Sequence, residues 1–79
     1  MTNKLRYDQI FIDTFSIEEG TSLDELEYNS IPDWDSIGHM ELIGELEDIF
    51  DISMEMDNII DFSSYEKGLE ILRKYDVDL

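Results

Sequence analysis

No lysine or arginine falls between Tyr7 and Glu66. The cations sit at the two ends, Lys4 and Arg6 at one and Lys67, Arg73 and Lys74 at the other, so the middle of the chain is purely acidic. Five Lys and Arg against 21 Asp and Glu leave a formal net charge of −16 on 79 residues. A chain of this length holds one domain, burying only about 60 to 65% of the surface its unfolded form exposes, so its core is small. Acidic composition by itself often means disorder. Here, however, 42% of residues are hydrophobic and 11% aromatic, far more than a solvating acidic tail carries. One compact domain over residues 1–79 is the expectation.

The same charge narrows the partners. Autonomous binding to nucleic acid or to an anionic membrane needs a positive footprint, which this chain lacks. The expected partner is basic. No cysteine is present, so neither a disulfide framework nor a thiolate metal site can hold the fold, and stability must come from helix packing. Residues Met1 to Lys4 lead into an amphipathic segment instead of an apolar signal region. No run approaches the roughly 20 apolar residues of a membrane span. A cytoplasmic, soluble monomer is expected.

Hydrophobic spacing sets out the helices. Tyr7, Ile10, Phe11, Thr14 and Phe15 follow the i, i+3, i+4, i+7, i+8 spacing of one helix face, which Leu5 and Ile12 widen. This helix is expected to end near Ile17, before Gly20 and the polar residues around it. A long connection follows to about Asp35 and carries the single proline, Pro32; Ser22 with Glu25 could cap one short turn within it. The second helix is expected from Ser36 to about Asp51, with Asp35 as N-cap. At 100 degrees per residue, Leu42, Ile43, Leu46, Ile49 and Phe50 form its core face, with His39 at the edge. The opposite arc holds Ile37, Met40, Glu41, Gly44, Glu47, Asp48 and Asp51.

Ile52, Met54 and Met56 alternate with polar residues, predicting extended chain before a short helix at Asp57–Asp61. Ser63 with Glu66 matches a capping box for a last helix bearing Tyr65, Leu69, Leu72 and Tyr75, and Arg73 and Lys74 suit its C-terminal end. Gly68 inside that helix costs about 1 kcal/mol against Ala, which close approach of another helix would explain. The expected fold class is therefore all-α, a small helical bundle of three principal helices plus one short helix.

Three site readings meet at Asp33-Trp34-Asp35-Ser36-Ile37-Gly38. Asp33, Asp35 and Gly38 match positions 1, 3 and 6 of a calcium loop, but Ile37 and Gly44 stand where that loop needs oxygen ligands, so no specific metal site is expected. A nucleophile elbow keeps only the serine and the last glycine, and its large sheet is missing. The single histidine, His39, lies one turn after Ser36 and leans toward the core edge, which suits packing better than a hydrolytic dyad. In the third reading Ser36 is modified by another enzyme: it stands at the first turn of a helix, where an added phosphodiester would meet the positive end of the dipole. A plain helix start is the alternative.

Asp35-Ser36-Ile37, followed by Met40-Glu41-Leu42-Ile43, Leu46-Glu47 and Phe50-Asp51-Ile52, resembles the segment around the modified serine of acyl and peptidyl carrier proteins. The resemblance extends over nearly the full chain, including the aromatic-rich first helix, the long first loop, the short third helix and the capped fourth. It implies an acyl-carrier-protein-like bundle that catalyses nothing itself. Ser36 would receive 4'-phosphopantetheine from coenzyme A through a magnesium-dependent phosphopantetheinyl transferase, and the arm's thiol would carry acyl or aminoacyl groups as thioesters. A loading ligase and a downstream acyltransferase or synthase would be further partners. Asp35 would belong to the transferase-recognition motif. Glu41, Glu47 and Asp48 would form the acidic partner face, with Ile37 and Met40 as apolar contacts beside the arm.

Trp34 before Asp35-Ser36, and Gly38-His39 after the aliphatic residue, depart from the pattern usual in fatty-acid carriers. They resemble discrete carriers of polysaccharide, lipid-modification or natural-product pathways. The rival reading is an unmodified acidic helical adaptor that binds a basic partner through helix two.

Overall fold

The three longer helices begin where a short polar side chain can satisfy first-turn N–H groups. A computed structural model describes residues 2–18 and 20–79 and contains, in chain order, α1 (Asn3–Phe15), α2 (Ser36–Phe50), α3 (Met56–Asp61) and α4 (Tyr65–Lys74). Thr2 caps α1, its hydroxyl accepting from the Leu5 N–H, and Asp35 caps α2, its carboxylate accepting from the Gly38 N–H at 2.8 Å. Ser64, not Ser63, caps α4 by accepting from the Lys67 N–H at 3.0 Å. The start lies one residue later than the capping-box spacing suggests, because Ser63 uses its carbonyl to bind the Tyr28 N–H.

The fold is all-α, and no strand occurs among the described residues. The extended stretch before α3 is present as expected. Two helix ends use a left-handed residue other than glycine: Ser16 closes α1 and Asp51 closes α2, each with φ of 53°. α1 therefore stops at Phe15, before the expected Ile17, since Ser16 and Ile17 both turn back to donate to the Ile12 carbonyl.

The long connection has little structure of its own but is tied down at its far end. Leu26 donates to the Leu23 carbonyl in a single turn, where a short capped turn was anticipated. Glu27 then forms an isolated antiparallel bridge with Ser64: the Tyr28 N–H donates to Ser63 O at 2.8 Å and the Tyr65 N–H to Leu26 O at 2.9 Å. Asn29, in a left-handed conformation, returns its N–H to the Trp34 carbonyl and closes the turn around Pro32.

α1 contributes Tyr7, Ile10, Phe11 and Phe15 to the core, the stripe read from its spacing, while Leu5 is exposed. Leu42, Ile43 and Leu46 of α2 are buried, whereas Ile49 is 45% exposed because it lies at the open edge between α2 and α1. Trp34 fills the centre without any solvent exposure, its indole in edge contact with Phe11 at 5.5 Å and stacked on Phe15 at 5.3 Å. Phe62, Tyr65, Ile71 and Leu72 close the other side. Gly68 is where α4 comes closest to its neighbours: a Cβ there would overlap both the Phe62 ring and the Tyr7 hydroxyl. That hydroxyl donates to the Tyr65 carbonyl at 2.6 Å.

At the start of α1, Lys4 forms an ion pair with Asp8 at 3.2 Å and donates to the Tyr65 hydroxyl, which in turn donates to Asp8. Burial pushes the Tyr65 hydroxyl up to about 12, and the bond to Asp8 adds to the shift. Burial raises Tyr7 further still, and the bond to Tyr65 raises Lys4 against an opposing desolvation.

Candidate functional site at the head of the second helix

Ser36 is the first residue of α2 and is exposed. Its placement follows from three neighbours in sequence. Trp34 is pulled into the core, Asp35 spends its carboxylate on the helix cap, and Gly38 lets the helix start pass beneath the Asp33 carbonyl oxygen, which a Cβ at that position would overlap. The serine is left at the open end of the helix, where the dipole is positive.

Ser36 borders a groove of about 360 Å³ between the connection, α2 and α3, lined by Tyr28, Ser36, His39, Met40, Met56, Ile59, Ile60, Phe62 and Ser63. Around it lie four exposed apolar side chains: Ile37 at 72%, Met40 at 55%, Met56 at 67% and Ile60 at 70%. Exposed apolar residues are ordinary when scattered, but four gathered around one serine mark a surface meant to be covered. The sequence reading placed Ile37 and Met40 here. It missed Met56 and Ile60, for which the signal was present: a short helix of Met56-Asp57-Asn58-Ile59-Ile60 cannot bury every apolar residue against one core.

The expected acidic face divides into two parts. Asp48 and Glu41 are exposed. Glu41, however, faces a second and larger groove of about 770 Å³ between α1 and α2, which it lines with Arg6, Asp13, Glu45 and Ile49 among others. Glu47 departs from the expectation of a free surface carboxylate. It is half-buried, and its Oε2 accepts from the Met54 N–H at 2.9 Å, so it holds the extended stretch against α2.

His39 does not serve Ser36 as a base. Its Nδ1 accepts from the Trp34 indole N–H at 3.0 Å, and its Nε2 is bonded to the Ile59 carbonyl at 2.8 Å. Both nitrogens are therefore committed. Among the described residues, no group of three or more His, Cys, Asp or Glu side chains comes together as a metal cage, and no helix is long and apolar enough to cross a membrane. Compared with known protein families, curated proteins and solved structures, the chain matches none.

Proposed function

We propose that this chain is a carrier domain, bearing acyl or aminoacyl intermediates as thioesters on a 4'-phosphopantetheine arm attached to Ser36. One observation carries the reading: among the described residues, the solvent-open serine at the head of α2 has no side chain hydrogen-bonded to it and His39 is engaged elsewhere, yet it lies beside exposed Ile37, Met40, Met56 and Ile60. Such a serine is suited to be the substrate of another enzyme. The resemblance in sequence from Asp35 to Ile52 names the modification.

The residues fit the group. Attachment joins Ser36 Oγ to phosphorus while the pyrophosphate linkage of coenzyme A breaks and its nucleotide portion leaves; the transferase supplies the base and the magnesium. The resulting phosphodiester lies at the positive end of a 15-residue helix, which favours an anion. When bound, the arm supplies the thiol that this cysteine-free chain lacks. Ile37 and Met40 offer apolar contact to the transferase and to later partners, a loading ligase and an acyltransferase or synthase. Exposed Glu41 and Asp48 steer basic surfaces toward them, which raises association rates more than it prolongs the complex.

Intact-mass measurement after incubation with coenzyme A, magnesium and a promiscuous phosphopantetheinyl transferase tests the proposal. The wild-type chain gains one phosphopantetheinyl group and Ser36→Ala gains none. No addition to the wild type, or equal addition to the variant, overturns it. The exposed apolar patch also supports the second reading, an unmodified adaptor for a basic partner, which is favoured if the serine stays unmodified.

A further inference from the structure

We infer that the groove between α1 and α2 is a docking surface for a basic amphipathic helix of a partner protein, separate from the groove beside Ser36. At about 770 Å³ it is the larger of the two, against about 360 Å³. The end of α1 meets the start of α2, where the Phe15 ring lies against Gly38, so the two helices run in opposite directions and leave a trough between them. Ile10 on one wall and Ile49 on the other give it apolar ground, and Ile49 is left 45% exposed.

Gly44 points to what fills the trough. It lies exposed in the middle of α2, and a Cβ there would meet nothing within 4 Å. Glycine is the poorest helix former after proline, and no contact within this chain requires it at this position. Gly38 and Gly68 differ, since a Cβ at either would overlap a neighbour. A bare stretch of backbone in a helix wall lets a second helix come close, because the side chains at the contact set the distance between axes. Gly44 thus disfavours the free chain and favours a packed complex.

The charges give the chemistry of the partner. Glu41 and Glu45 stand four residues apart on α2, a like-charge pair that disfavours the isolated helix, and Asp13 lines the same groove from α1. Among the described residues none of the three has an ion-pair partner; the bond to Asp13 comes from the Gln9 amide at 2.9 Å. Arg6 is the one cation in the lining, and the carboxylates outnumber it. A helix carrying Lys or Arg beside an apolar stripe neutralises them, covers Ile10 and Ile49 and closes on Gly44. A second copy of the chain brings a net charge of −16 and is repelled. Ser36 lies outside this lining, so the inference does not depend on its modification.

The experiment titrates the ¹⁵N-labelled chain with a synthetic peptide of about four helical turns, built from Lys, Leu and Ala with the apolar residues on one face. A control peptide of the same composition has its apolar residues scattered. With the amphipathic peptide the amides of Ile10, Gly44 and Ile49 shift saturably and the peptide turns helical by circular dichroism, while the amides of Ile37, Met56 and Ile60 stay in place. Gly44→Leu weakens binding about ten-fold by filling the contact, and Asp13→Asn with Glu45→Gln flattens its salt dependence. Equal binding of the scattered peptide, shifts centred on the Ser36 patch, or undiminished affinity of Gly44→Leu overturns the inference. So does a wild-type dimer in light scattering that Gly44→Leu dissolves, which assigns the groove to a second copy. The map of shifts needs only the wild type, so a variant that fails to fold does not shield the idea.

Discussion

The carbonyl oxygen of Asp33 occupies the space that a Cβ of residue 38 would need. The Phe15 ring approaches the same point at 3.3 Å, so neither the loop before α2 nor the core behind it can yield easily. Gly38→Ala is expected to destabilise the fold by about 1 to 3 kcal/mol, the range for forced overpacking. Gly44, on the same helix, has nothing within 4 Å of that position, and Gly44→Ala should stabilise by up to about 1 kcal/mol through helix propensity. Urea unfolding of the two variants checks both signs; equal effects would contradict the geometry.

Asp35 has two separable tasks. As N-cap it binds the Gly38 N–H, and Asp35→Ala should lose about 1 kcal/mol of stability. Asp35→Asn caps nearly as well but removes the charge, so it should unfold at close to the wild-type urea concentration while accepting phosphopantetheine more slowly. Loading of the Asn variant at the wild-type rate would mean that the carboxylate is read only by its own helix.

The carboxylates of α2 divide in the same manner. Glu41→Lys with Asp48→Lys should slow loading several-fold at low salt and flatten its salt dependence, with helicity unchanged by circular dichroism. Glu47→Ala should act on stability instead, by about 1 kcal/mol, because the Met54 N–H loses its acceptor. Loading rates that are the same at all salt concentrations would exclude electrostatic recognition.

Alkaline conditions should weaken the fold. Tyr7 and Tyr65 hold their protons more tightly in the folded chain than the ordinary value of 10, Tyr65 up to about 12. The folded state thus binds more protons than the unfolded one above pH 10, so this contribution is intact below pH 10 and lost as pH rises toward 12. Urea midpoints at pH 8, 10 and 11 should fall over the upper interval, and less steeply in Tyr65→Phe. Parallel declines in the two proteins would remove Tyr65 from the explanation.

How much of this was legible in sequence depended on periodicity. The α1 stripe of Tyr7, Ile10, Phe11 and Phe15 repeats at helical spacing, and each of these residues is buried. Ile37 and Met40 fell on the outward arc of α2 and are exposed. Trp34 offered no such signal: it sits alone in a turn, and only the assembled pocket of Phe11, Phe15 and Phe62 reveals it as the centre of the core. The roles of Glu47 and Gly38 were hidden for a related reason, since each answers to a backbone atom that the folded chain brings alongside it. Ile49 shows the opposite error, a residue at the rim of the arc that borders the open groove between α1 and α2 while Phe50 beside it packs on the core.

The bridge between Glu27 and Ser64 bears on synthesis as well as on structure. The Leu26 carbonyl and the Tyr28 N–H are paired with Tyr65 and Ser63, and Trp34 packs against Phe62 as well as against Phe11 and Phe15. A chain emerging from the ribosome therefore keeps part of the Tyr7, Phe11 and Trp34 surface uncovered until Phe62 and Tyr65 arrive. Exposed aromatic surface in a half-made chain invites association with its neighbours. The cation-free, densely negative middle is synthesised within that interval, and like charge disperses such chains. The repulsion that opposes the finished bundle protects the unfinished one.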